Sequence, residues 1–471
     1  MIIGLLTCLL AFSWLIWLVL KRRLSLGLTM AYLGTLLLVH VPGALAYMYS
    51  RDFLHYASAT SIGFGYASIA ALCFALGVWM VPAPTVRLAV HTRLERTYFS
   101  YFCLVGGWGF VYILSPLHRI PSVGAVVDEA GALWMLGVML GLREAISLKT
   151  PAKVALWSGA LLVYPVVMLL LGGFLGYGAS AAIIVGSGVV ASTRSYPRAL
   201  LGVSLAAFLG LSLFVNYFSN RDAIRKEVWG GASLSDRLTS VENIFFDFRF
   251  FNPADPVQAK ALDARLNQNY FVGLAAERIE NGDESYLRGR SIWQAVLALI
   301  PRAIWPGKPV AAGSGDIVRE MTGLQLSTTT SWGVGNVMEL QINFGLPGVV
   351  LGFLLLGWII GILDRNAATA VLCGDYGRSV VYFLPAVTLI NPQGSMVELA
   401  GGSAAALIAG LCWRWLWKRL RARNTALSRL QPSPLFAYVS NYIGTGYQGR
   451  VANRRARSPI VTPSESDRFE R

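Results

Sequence analysis

Four cations, Arg288, Arg290, Arg302 and Lys308, crowd into one stretch, YLRGRSIWQAVLALIPRAIWPGKP. A guanidinium presents a fixed fork of N–H donors that matches phosphate oxygens, so arginines held by stiff backbone are suited to clamp a diphosphate. Pro301, Pro306 and Pro309 supply the stiffness, because each ring fixes φ. The plainer use of such residues is anchoring, since Trp and Arg at a membrane edge snorkel toward the headgroups. Further on, Ser331, Glu339, Gln341 and Asn343 gather where an apolar run begins. Polar groups at that depth are costly unless partnered or used, which makes them site candidates. Gln341 and Asn343 have the alternative of capping a helix or bonding a neighbour.

The elements that must position these residues are membrane helices. The chain has 471 residues, 55% hydrophobic and 14% charged, with a mean hydropathy of +0.54; soluble domains carry about a quarter charged residues. Apolar runs long enough to span recur along it, and about eleven are expected. They cover 2–20, 25–48, 61–82, 98–115, 122–142, 154–173, 175–193, 199–218, 340–363, 378–392 and 396–414. The expected fold is an all-α polytopic membrane protein with one large periplasmic loop subdomain. Its parts are a bundle of about eight spans over 1–218, the loop over 219–338, about three spans over 339–417, and a basic tail over 418–471. Basic clusters at Lys21–Arg23, 87–96, 143–153, 194–198 and after Arg414 orient the bundle with the N-terminus periplasmic and the C-terminus cytoplasmic. The cluster at Lys21 follows the first apolar run rather than preceding it, so that run reads as a retained span.

Within the loop, Ile292–Ile300 is apolar but too short to cross, and it is flanked by Trp293 and Trp305. It reads as an interfacial helix stopped by Pro301, which would hold Arg302 and Lys308 at the depth of lipid phosphates. Gly348-xxx-Gly352 and Gly357-xxx-Gly361 offer small-residue faces for close helix packing. Asp128 and Glu129 admit a proton relay or a substrate contact, and read best as a polar edge just outside the membrane.

Several function classes are excluded by what the chain lacks. Its net charge of +15 sits in short loops and the tail, while 219–338 balances 13 Lys/Arg against 13 Asp/Glu, which argues against nucleic acid. The five cysteines and the four histidines, His40, His55, His91 and His118, all fall outside that segment. No HExxH, GxSxG or Walker A motif occurs. No metal and no cofactor is expected.

ARLNQN (264–269), YLRGRS (286–291), IPRAIWPGKP (300–309) and SWGVGNVMELQINFGLPGVVLG (331–352), with their order and the long loop between spans, resemble the Wzy-type oligosaccharide repeat-unit polymerases of O-antigen and exopolysaccharide synthesis. The resemblance implies a metal-independent glycosyltransferase of the bacterial inner membrane. Such a protein passes a growing glycan from its undecaprenyl-pyrophosphate carrier to the next lipid-linked unit. It implies as partners the lipid-linked oligosaccharide, membrane lipid, a chain-length regulator and a flippase of the same pathway, and no nucleic acid. Arg290 and Arg302, with Lys308, Arg265 or Arg288, would bind the pyrophosphates and offset charge on the leaving group. Glu339, or Asp316 as second choice, would take the proton from the attacking hydroxyl. Trp305, Trp332 and Tyr270 would stack on sugar rings, and Asn343 would contact substrate. The rival readings are an O-antigen ligase-like transferase, whose large loop would carry a histidine that this one lacks, and a lipid-linked sugar flippase.

Overall fold

The computed structural model describes residues 1–430 apart from 50–55, 83–92, 121, 174–175, 194, 234, 240–247, 301–303, 306, 308–312 and 326–332. Among the described residues the chain is helical and contains no strand. The helices are α1 (Ile2–Arg22), α2 (Leu28–Tyr49), α3 (Ala57–Trp79), α4 (Arg93–Trp108), α5 (Val123–Gly131), α6 (Leu133–Ser147), α7 (Pro151–Gly172), α8 (Gly176–Val190) and α9 (Tyr196–Trp229). They continue with α10 (Pro256–Leu266), α11 (Asn269–Glu280), α12 (Arg290–Ala298), α13 (Ser314–Thr322), α14 (Asn336–Leu372), α15 (Tyr376–Leu389) and α16 (Met396–Leu430). The chain forms two compact units, Met1–Arg414 and Trp415–Arg471, and the candidate site lies in the first.

Among the described residues, eight helical segments are long and apolar enough to cross a membrane: α1, α2, α3, the α5–α6 run, α7, α9, α14 and α16. The three other expected spans form shorter α-helices, namely the 16 residues of α4, which runs on into a π-helical turn over Gly109–Ile113, the 15 of α8 and the 14 of α15. At 1.5 Å per residue, a helix the length of α15 reaches about 21 Å, against a hydrocarbon core of about 30 Å.

Helix α3 is a central staff against which α1, α2, α11 and α14 pack. Glycines set the closest approaches. A Cβ on Gly77 would meet the Leu354 carbonyl oxygen at 2.1 Å, and one on Gly357 would meet that of Phe74 at 2.2 Å, so α3 and α14 touch backbone to backbone. The same device seats α11: a Cβ on Gly63 would lie 1.9 Å from the Asn269 carbonyl oxygen, and one on Gly273 would lie 1.7 Å from that of Ala59. Toward the far end of α14, Asp364 is buried and accepts from Ser25 Oγ at 2.6 Å and the Leu26 amide at 2.7 Å, pinning the α1–α2 linker.

Helix α14 is broken. Gly345 sits at φ 64°, ψ −150°, a conformation open in practice only to glycine, and Pro347 follows without an N–H to continue the ladder. The nine residues before the break form a short arm that folds back on the long helix. The Leu340 carbonyl oxygen comes within 2.5 Å of a Cβ built on Gly348, and its side chain covers Gly352. Gly357 and Gly361 face α3 as an interhelix surface. Gly348 and Gly352, expected to serve another helix, instead make room for the chain's own arm.

Candidate functional site

The arm 336–344 is where the polar residues collect. Asn336, Glu339, Gln341 and Asn343 are all buried, at 0–1% exposure. Its start is fastened to the turn 391–394: the Gly335 amide donates to the Gln393 carbonyl at 3.1 Å and the Asn336 amide to that of Pro392 at 2.9 Å. The Asn336 side chain donates to the Gly394 carbonyl at 3.0 Å and accepts from the Tyr32 hydroxyl at 2.8 Å. Its end is fastened to the RGRS turn. The break at Gly345 frees the Ile342 carbonyl, which accepts from the Leu287 amide at 2.9 Å. Asn343 Oδ1 accepts from the Gly289 amide at 3.0 Å, and Nδ2 donates to Ser291 Oγ at 2.8 Å and to the Glu339 carbonyl at 2.7 Å.

Glu339 lies between the two turns. One carboxylate oxygen, Oε2, accepts from the Met396 amide at 2.7 Å; the other, Oε1, is buried and makes no close hydrogen bond, although the Ser291 hydroxyl is near enough to act on the carboxylate. Gln341 Oε1 is likewise buried and without a partner. Such orphaned acceptors cost free energy, commonly about 1–3 kcal/mol each. Glu398 stands close enough to act on the Glu339 charge. It caps α16 by accepting from the Ser395 amide at 3.1 Å, and also accepts from Ser314 Oγ at 3.1 Å, joining α16 to α13. The serine–x–x–glutamate spacing in SMVE signals that cap in the sequence.

The cations are distributed differently from the arms of a single clamp. Arg288 and Arg290 are exposed on either side of Gly289. Arg288 holds φ 48°, unusual for a side chain of its size, and Gly289 φ 89°. Arg290 donates to both oxygens of Glu320 at 2.8 and 2.9 Å, so its charge is already shared with α13. Arg265 lies on α10, where the charges acting on it are Arg221, Arg225, Tyr217 and Asp222, and burial is the main cause that depresses its pKa. Asp316 caps α13 through the Gly313 amide and pairs with Arg319, which gives it a structural role. Trp305 is 39% exposed; Trp293 (63%), Leu299 (49%) and Ile304 (76%) make the α12 edge an apolar outer face, in keeping with an interfacial helix. Tyr270 packs edge-on to Tyr56 at 4.9 Å. Arg302, Lys308, Ser331 and Trp332 lie outside the described residues.

The ARLNQN stretch serves attachment. Pro42 interrupts α2, and nearby the Gln268 amide donates to the Val39 carbonyl at 3.1 Å. Asn269 exchanges bonds with His40 through both its side-chain oxygen and nitrogen, each at 2.7 Å. Of the acidic pair in α5, Asp128 lies at the exposed edge beside His118, whereas Glu129 turns inward and accepts from Thr388 Oγ1 at 2.5 Å.

No family model, curated protein or solved structure matches this chain. Among the described residues no group of three or more His, Cys, Asp or Glu side chains could hold a metal ion. An apolar groove is lined by Leu104, Trp108, Tyr112 and Val163, with no acidic, basic or thiol side chain along it.

Proposed function

We propose that this chain is an inner-membrane glycan polymerase of the Wzy type. In this reading it transfers an oligosaccharide from one undecaprenyl-pyrophosphate carrier to the sugar hydroxyl of the next lipid-linked unit. The observation that carries the reading is Glu339: a buried carboxylate with one oxygen held by the Met396 amide and the other making no close hydrogen bond, with the Ser291 hydroxyl beside it, between the turn 391–394 and the RGRS turn. A carboxylate in that condition is poised to accept a proton. The acceptor hydroxyl gives its proton to Glu339 as its oxygen bonds to the donor's anomeric carbon. The bond from that carbon to the diphosphate breaks, and the lipid diphosphate departs with the electron pair. Arg288, Arg302 and Lys308 carry charge suited to meet it. Arg290 would do so by exchanging Glu320 for the diphosphate.

The long segment 219–338 faces the periplasm in this reading. That side is the same whether α4 and α8 both cross or neither does, because two crossings cancel. A cytoplasmic tail additionally requires α15 to cross. The distinguishing experiment is an Glu339→Gln allele in a strain deleted for the gene. The expected result is loss of polymer with accumulation of flipped single repeat units. Normal polymer from that allele refutes the assignment. Trapping of units on the cytoplasmic side would mean a flippase, and long lipid-linked polymer would mean a ligase.

A further inference from the structure

We propose that the groove between α4 and α7 is a binding site for a bilayer phospholipid, with one acyl chain in the groove and the phosphate at Arg119. The site lies apart from the arm that carries Glu339 and does not rest on the transferase reading. Leu104, Trp108 and Ile113 line one wall, and Ala160 and Val163 line the other.

The recess exists because the first wall widens. The Leu114 amide donates to the Gly109 carbonyl at 3.1 Å, five residues back, so the turn that ends this run is π-helical. Such turns are rare in α-helical runs and occur often at functional sites. Gly109 deepens the gap, because a Cβ built there would meet nothing within 4 Å. Trp108 stacks flat on Tyr112, with ring centres 5.3 Å apart and planes at 9°, which stiffens the wall. The recess encloses about 550 Å³, and no charged side chain lines it.

Length and charge point to the occupant. From Leu104 to Ile113 the wall rises about 13 Å, close to the roughly 15 Å that one leaflet gives to the hydrocarbon core. An acyl chain fits that depth, whereas a long polyisoprenoid overruns it. Cations stand where the headgroup belongs. Arg119 is exposed at the end of the 3₁₀ turn Ser115–Arg119, which follows Ile113. Leu170 lies two turns beyond Val163 on the same stripe of α7, and its carbonyl accepts from Arg237 at 3.2 Å. The α5–α6 run turns back between α4 and α7, and α6 packs on both. Arg119 and Arg237 therefore stand at the same end of the groove. Among the described residues neither pairs with a carboxylate. The acids beside them are engaged elsewhere: Asp128 faces His118 at 3.3 Å, and Asp236 accepts from Ser233 Oγ at 2.7 Å. A phosphate diester supplies the anion that these guanidinium groups lack.

The test is native mass spectrometry of the full chain in detergent. It is titrated separately with dioleoylphosphatidylglycerol and with dioleoylglycerol, which has the same chains and no phosphate. The phospholipid is expected to saturate one site, with an affinity at least about fivefold above that of dioleoylglycerol. Arg119→Gln should reduce that advantage by about fivefold. Gly109→Leu fills the floor and should weaken both lipids at least about tenfold. Equal binding of the two lipids, or binding left unchanged by either variant, overturns the proposal and means annular lipid only. Displacement of the phospholipid by equimolar undecaprenyl phosphate also overturns it, giving the groove to an isoprenoid carrier. If Gly109→Leu does not fold, Val163→Trp closes the groove from an exposed position. Loss of binding in that variant supports the site, and unchanged binding overturns it.

Discussion

Asn343→Ala removes the side chain that joins the broken helix to the RGRS turn. Three hydrogen bonds are lost, to Ser291 Oγ, to the Glu339 carbonyl and from the Gly289 amide. At about 0.5–1.5 kcal/mol net for each, the sum is about 3 kcal/mol. The Leu287–Ile342 backbone bond remains in the variant, so the turn loosens without a wholesale loss of the fold. That energy corresponds to roughly a hundredfold rise in the undocked population of the turn. Hydrogen exchange reads this directly. Amides from Leu287 to Ser291 should exchange faster by up to about two orders of magnitude, while those of the long half of α14 keep their protection. Under the proposed transfer, polymer from this variant should be short or absent, because Glu339 loses its neighbour. Unchanged exchange at Leu287 and Gly289 would refute the view that Asn343 holds the site together.

Two further substitutions probe the backbone and the titrating groups. Gly345→Ala forces a Cβ into a glycine-only conformation and to within 3.1 Å of the Tyr286 hydroxyl, at a cost of about 1–3 kcal/mol; a lowered unfolding midpoint in detergent is expected, and an unchanged one contradicts the break. Burial raises the Asp263 pKa, partly offset by hydrogen bonds from Asn267 and Tyr47, so the folded chain holds that proton more tightly than the unfolded one. Its stabilising contribution is full below the ordinary aspartate value of about 4 and is lost as pH rises through the raised folded value. Asp263→Asn should therefore gain stability relative to wild type as pH rises across that window, measured as the difference in unfolding midpoints.

How far the sequence could be read depends on what each feature requires. The cluster from Glu339 to Asn343 was legible because polar residues at the start of an apolar run need a reason, and all three side chains are buried together. The break was not, although NFGLPG contains it, because hydropathy stays high across Gly345 and makes one continuous run. Small-residue spacing pointed to close packing at Gly348, Gly352, Gly357 and Gly361 without identifying the partner. Spacing cannot distinguish another helix from the chain's own arm. The pairing of Arg290 with Glu320 joins residues distant in sequence and needed the fold.

Breaking α14 at Gly345 also divides its electrostatics. An unbroken rod would carry its partial charges at two remote tips. With the break, the arm's negative pole and the longer helix's positive pole meet beside Tyr286, where both can act on whatever occupies the polar layer.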